Sequence, residues 1–301
     1  MLRRALMCYL AFAVGLCPCV IAATRELPPD VKTLEVNGYE MAFVERGTGV
    51  PVVLVHGTVS DYRWWAPQMA PFGEGFRTIA VSLRHFYPER WNGQGEDASV
   101  RQHADDLAAF ITGLHAGPVH VVGHSRGGDV VLLMASTHPE LLLSVVLVDP
   151  APLEALLPKT PPSSRGGGEA QQVCQRRVET FTARRYRGWL GKLYRWSDWP
   201  RGMAKDAGPA KTDNARQRVV DQESVNGLQR TLHVREAANI TVPVLMVTGE
   251  TSPRPYDVMM EALAPCLKQL EKITIPNAAH AMNRTNPQAF NAAVLEFLAM
   301  H

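Results

Sequence analysis

Cysteine is scarce in this 301-residue chain and unevenly placed: of five, Cys8, Cys17 and Cys19 stand near the amino terminus. That content is too low for a disulfide-built scaffold. An excess of either charge is also missing. The 31 Lys+Arg against 29 Asp+Glu leave +2 at neutral pH, too even for a protein held on a polyanion by counterion release, so nucleic acid is not an expected partner. Glycine and proline, 23 and 22 residues, fall short of collagen-like or low-complexity content. What remains, 46% apolar and 20% charged residues, is the composition of an ordinary globular protein with a full core.

The amino terminus poses a separate problem. Arg3 and Arg4 precede an uncharged stretch, residues 5–24, whose apolar centre is short and whose end carries the small residues Ala22 and Ala23. Residues 1–23 therefore read as a secretory signal peptide, with an uncleaved anchor as the alternative because the run approaches the roughly 20 residues a membrane span needs. Cys17 and Cys19 lack the small residue immediately before them that a lipoprotein signal requires. The expected location is secreted or periplasmic, with no stable membrane insertion once the peptide is removed. Cys174 and Cys266 then remain, either as one bridge or as two separate thiols, since bridging needs Cα atoms within about 7 Å.

Residues 31–36 and 39–44 flank Asn37-Gly38, a strong hairpin signal that predicts two antiparallel strands. Short β-branched runs follow at 52–55, 78–82, 119–122, 145–148, 244–247 and 272–275, several apolar throughout, as strands buried on both faces should be. Helical patterns separate them. The clearest spans 99–114, opened by a Ser99/Gln102 capping box with Val100, Ala104, Leu107, Ile111 and Leu114 at helical spacing; Asn286-Pro287 opens another, carrying Phe290, Val294, Phe297 and Leu298. Alternating strands and helices predict an α/β fold with a mostly parallel sheet and helices on both faces.

One connection is too long for a crossover. Residues 151–235 separate two predicted strands and read as an inserted, mainly helical cap, entered by a Pro/Gly/Ser-rich hinge at 158–168 and carrying Trp189, Tyr194, Trp196 and Trp199. Residues 24–150 and 236–301 form the core domain. The cap holds 16 Lys+Arg against 8 Asp+Glu. Either this is a solvated basic face or it draws in an anionic substrate or an acidic envelope surface.

The chemistry centres on Gly123-His124-Ser125-Arg126-Gly127, a Gly-x-Ser-x-Gly motif between a buried strand and a helical pattern. That context makes Ser125 the expected nucleophile on a strained turn at a helix amino end. Serine needs a base, and His280, in a loop after the last strand, has no local structural explanation. It would reach the same carboxyl edge of the sheet as Ser125. The backbone N–H groups of Arg126 and Thr58 are the candidate oxyanion donors, with Gly57 allowing close approach. Gly57, His124 and Trp189 are candidate substrate contacts. His56 reads as a packing residue; Trp64 and Trp65, after the oxyanion loop, read either as core or as pocket wall; Asp105 and Asp106, on adjacent helical positions, point apart and read as structural.

With these residues in this order, the chain resembles the α/β-hydrolase superfamily, in its cap-bearing serine-hydrolase branch. The resemblance covers residue 31 to the carboxy terminus except the cap. It implies an eight-stranded sheet, a Ser/His/acid triad, and no metal or cofactor. The acid departs from the family pattern. After the seventh strand the family carries Gly-x-x-Asp, whereas this chain reads Gly249-Glu250-Thr251-Ser252. Asp149, ending the sixth strand, and Glu250 are the two substitutes, with Asp257 more distant.

The resulting expectation is a hydrolase of a small-molecule carboxylic ester or lactone acting through an acyl-enzyme on Ser125. C–C or amide hydrolysis on the same residues stays open, as does a non-catalytic ligand-binding protein that kept the fold. A serine at the elbow argues against dehalogenase or epoxide-hydrolase chemistry, which needs a carboxylate nucleophile.

Overall fold

The computed structural model describes residues 27–89, 98–151 and 237–301. The segments expected to be signal peptide and hinge, nearly all of the expected cap with Trp189, and Cys174 lie outside them.

Eight strands form one sheet in the order β1-β2-β4-β3-β5-β6-β7-β8. They are β1 (Lys32–Val36), β2 (Tyr39–Arg46), β3 (Pro51–Val55), β4 (Arg77–Val81), β5 (Val119–His124), β6 (Leu142–Val148), β7 (Val244–Gly249) and β8 (Leu270–Ile275). β1 and β2 pair antiparallel through the Asn37-Gly38 turn, where both residues adopt positive φ (49° and 70°), as a type I′ turn requires. β2 meets β4 antiparallel; every pairing from β4 to β8 is parallel. The hairpin and the mostly parallel sheet predicted from sequence are thus both present.

The described helices are α1 (Ala66–Phe72), α2 (Val100–Gly113), α3 (Arg126–Thr137), α4 (Arg254–Leu263), α5 (Met282–Thr285) and α6 (Pro287–Met300). Alternation along the central strands divides the core. Val53, Val55, Val121, Val145 and Leu147 face one layer with Leu107 and Phe110 of α2 and Val131 of α3. Val52, Leu54, Val122, Val146 and Val148 face the other with Phe72 of α1 and Phe290, Val294 and Phe297 of α6. Burial on both faces explains why these strands are apolar at consecutive positions. No helix among the described residues is long and apolar enough to cross a membrane. Cys266 is engaged in a disulfide rather than left as a thiol.

Ser99 caps α2 by accepting the Gln102 N–H at 3.1 Å, but the box is half made: the Gln102 side chain donates to Asp106 Oδ1 instead. Asp106 also receives Asn37 Nδ2 at 3.0 Å and the Arg84 guanidinium at 2.8 Å, with both charged side chains almost wholly buried. Its structural reading holds: it ties α2 to the β1–β2 turn and to the segment after β4. Removing one member of a buried pair strands the other, so Asp106→Ala is expected to cost about 3–5 kcal/mol, read as a lowered urea midpoint; a change within ~0.5 kcal/mol would contradict that role.

Candidate active site

The carboxyl ends of β3, β5, β6, β7 and β8 lie side by side, and each delivers a residue of interest to one edge of the sheet, where ligands bind in open α/β folds. Ser125 sits between β5 and α3 at φ 54°, ψ −124°, in a backbone region that a non-glycine residue occupies only under constraint. Three backbone hydrogen bonds supply it: Ser125 N–H to Val148 O, Gly128 N–H to Ser125 O and Ala151 N–H to Ser125 O. The flanking glycines are obligatory. A Cβ on Gly123 would overlap the Gly127 carbonyl, and one on Gly127 the carbonyls of Val55 and His56.

Gly57 abuts the elbow from the β3 side; a Cβ there would stand 2.9 Å from Ser125 Cβ. This places the Thr58 segment beside Ser125, opposite the start of α3, whose first residue is Arg126. The Arg126 side chain turns away from the site, donating to the Ala98 carbonyl and lying 3.2 Å from His103 Nδ1. His103 Nε2–H in turn donates to Arg84 O at 3.1 Å. His56 is fully buried, bonded through Nδ1 to Gly57 O at 2.8 Å and accepting the Leu83 N–H at 3.1 Å, with Phe86 edge-on to its ring. Burial pushes its pKa down to about 4, so it braces the β3 loop as a neutral ring, the packing role expected of it.

His280 is buried in the loop after β8, and its Nδ1 lies 3.3 Å from Asp149 Oδ2. Asp149 ends β6 at φ 39°, fully buried, with its N–H bonded to Val247 O. The same Oδ2 accepts the Ser252 hydroxyl at 2.5 Å, and Ser252 Oγ accepts the Gly249 N–H at 3.1 Å. Ser252 therefore occupies the position where the family pattern has its carboxylate and uses a hydroxyl to hold the carboxylate that comes from β6. Glu250 takes no part in this cluster: it is exposed, and its Oε2 accepts the Asn277 N–H at 2.8 Å. Asp257 is likewise exposed.

His124, expected as a substrate contact, is buried, as Ser125 and His280 are. Its ring lies between Trp64 (5.0 Å, stacked) and His280 (4.5 Å), and its Nε2–H donates to the His280 carbonyl at 2.8 Å. Burial first, then the neighbouring imidazole of His280, hold its pKa well below the usual histidine value. The role its contacts support is to position His280. Trp65 is fully buried, as expected of core, while Trp64 packs on His124.

Sequence reasoning missed Tyr256. It lies in the first turn of α4, a helix that begins just after Ser252 at the active edge, and no motif marks it. Its ring stacks on His280 with centroids 4.0 Å apart and planes 13° from parallel. Tyr256 thus packs on the face of the candidate base. Among the described residues no group of three His, Cys, Asp or Glu is placed to hold a metal ion.

Comparison with known proteins agrees with the fold. The model of the alpha/beta hydrolase family matches residues 52–293. The 2-(acetamidomethylene)succinate hydrolase of Mesorhizobium japonicum is 26% identical over 84% of this chain and 90% of its own. The (E)-2-((N-methylformamido)methylene)succinate hydrolase of Acinetobacter baylyi is 23% identical over 89% and 97%. Among solved structures, a thermophilic esterase from Thermogutta terrifontis superposes with a TM-score of 0.62 at 25% identity, over 90% of this chain and 97% of that one. The enol-lactonase from Burkholderia xenovorans LB400 gives 0.64 at 20%, over 89% and 100%, a likeness of fold. These relatives are hydrolases, and the match over most of the chain makes this protein a member of the alpha/beta hydrolase family.

Proposed function

We propose that the protein is a serine hydrolase cleaving a small carboxylic ester or lactone, with Ser125 as nucleophile, His280 as general base and Asp149 as the acid that orients it. The observation carrying this reading is the strained Ser125 on the same sheet edge as the His280–Asp149 pair. His280 Nδ1–H directed at Asp149 leaves Nε2 to take the serine proton as Oγ attacks the carbonyl carbon. The N–H groups of Arg126 and Thr58 receive the negative charge on the carbonyl oxygen. The leaving group takes the proton from His280, and water then releases the acyl group by the same route in reverse.

A second reading is amide hydrolysis on the same residues. It is favoured by the names of the two relatives that match most of the chain, both succinates carrying an amide. Those names and the 16 Lys+Arg against 8 Asp+Glu of residues 151–235 also support a substrate bearing negative charge, steered by the field of that segment. Export from the cytosol completes the proposal, and the disulfide at Cys266 fits an oxidising compartment.

A fluorophosphonate probe is expected to label the protein at Ser125 and to leave Ser125→Ala unlabelled. Absence of labelling in the native protein would turn the assignment towards a non-catalytic binding role. Turnover of matched aryl esters, lactones and amides, each with and without a carboxylate, separates the two hydrolytic readings. For charged substrates, kcat/KM should fall as salt rises.

A further inference from the structure

The His280 imidazole meets a different neighbour in each direction. At its rim, Nδ1 lies 3.3 Å from Asp149 Oδ2. Over one face lies the Tyr256 ring, with centroids 4.0 Å apart and planes 13° from parallel. A second ring cannot share that face, so His124, 4.5 Å away and tilted by 37°, flanks the other. His124 is held there by its Nε2–H bond to the His280 carbonyl and by Trp64 stacked on it. We propose that Tyr256 is a positioning residue for the general base: it clamps the imidazole against His124 and, through the negative face of its π system, favours the imidazolium that forms as Ser125 gives up its proton. This rests on the serine-hydrolase reading above, in which His280 is that base.

A cation centred within about 6 Å of the face of a tyrosine ring is attracted by the ring quadrupole. A neutral imidazole in the same place gains packing alone, so the stack favours the charged form over the neutral one. As Ser125 Oγ attacks the acyl carbon, its proton passes to His280 Nε2. The positive charge then lies between the Asp149 carboxylate and the Tyr256 face until the leaving group takes the proton away. Tyr256 exchanges no proton and forms no bond. His124 serves the same state by staying neutral: burial first, then the charge on His280, hold its pKa well below the usual histidine value, so no second cation is set against the imidazolium. Among the described residues, the titratable side chains against the His280 ring are Asp149 from the end of β6, His124 from the elbow and Tyr256 from α4, while Ser252 acts only through Asp149.

Tyr256→Leu keeps apolar bulk and removes the π face; pentafluorophenylalanine in place of Tyr256 keeps the shape of a ring and inverts its quadrupole. Either change leaves the imidazolium less stabilised, so it releases its proton at lower pH. With p-nitrophenyl acetate, the midpoint of the acid limb of kcat/KM is expected to move down by about 0.5–1 pH unit in both, and the plateau to fall about two- to tenfold. Tyr256→Phe, which keeps the face, should hold the limb within about 0.2 pH unit and the plateau within about twofold. The pH profile of phosphonylation by a fluorophosphonate, which calls on His280 in the same way, should show the same displaced limb. A limb unmoved by pentafluorophenylalanine overturns the proposal, and that variant decides alone if Tyr256→Leu fails to give a cooperative melt. A loss in Tyr256→Phe equal to that in Tyr256→Leu, or a lower plateau with the limb in place, also overturns it and marks a structural role. If the native protein itself is not labelled at Ser125, the serine-hydrolase reading fails instead, and this inference with it.

Discussion

Asp149→Asn is expected to lower kcat by roughly 10³- to 10⁴-fold on an aryl ester, while Glu250→Gln is expected to stay within about twofold. The difference follows from where the two carboxylates lie. Asp149 is fully buried, with Oδ2 facing His280 Nδ1; Glu250 is exposed and spent on a backbone N–H. An amide at position 149 removes the charge that stabilises the imidazolium and can present an N–H to the ring, inverting its tautomer. Ser252 gives the prediction a second arm. Its oxygen is 2.5 Å from Asp149 Oδ2, so a carboxylate introduced there approaches His280 from the same quarter. Ser252→Asp in the Asp149→Asn background is therefore expected to recover at least about tenfold of the lost kcat, where Ser252→Ala recovers none. Equal and mild losses from Asp149→Asn and Glu250→Gln would remove Asp149 from the mechanism.

Acid is expected to unfold the protein cooperatively, with a midpoint between about pH 4 and 6. His56, His103, His120 and His124 are all buried. Burial lowers the pKa of His56 and of His120 to about 4 and holds His103 and His124 well below the usual value. In the unfolded chain these rings titrate near 6.5 and take up protons that the folded rings refuse. Their stabilisation is therefore complete above about pH 6.5 and drains away as pH falls towards 4. A histidine that titrates near 4 when folded costs about 3 kcal/mol by pH 4, and several such groups rival the roughly 5–15 kcal/mol that a domain has in total. Asp129, whose carboxyl pKa burial raises well above the usual value, works in the opposite sense, gaining stability as pH falls, but it is one group against four. Tryptophan fluorescence and far-UV circular dichroism across this range check the prediction. A native spectrum retained at pH 4 would mean that the buried rings find relief within the folded state.

Much of the sheet was legible because local signals and tertiary burial coincide. Asn37-Gly38 turns where left-handed φ is needed, and runs such as residues 52–55 are apolar because both faces of β3 are covered. The elbow was legible for the same reason: the glycines flanking Ser125 are dictated by backbone contact. The acid was harder, since the choice between Asp149 and Glu250 depends on which side chain β7 leaves facing His280, and Ser252 conveys nothing about Asp149 until the two strand ends are side by side. The packing of His124 on the His280 loop joins segments 156 residues apart, which no spacing in the sequence reveals. Tyr256 belongs to no spacing rule. Its stack on His280 exists only because α4 starts beside the imidazole.

The conformation of Ser125 has a practical corollary. Beyond the local Gly128 amide, φ 54° is held by Val148 O on the next strand and by the Ala151 amide beyond Asp149, while Asp149, itself at φ 39°, hangs on β7. Such a torsion relaxes the moment adjacent strands separate. Residual turnover after heating is then a head-count of intact molecules, and an assay of the hydroxyl doubles as an assay of the sheet.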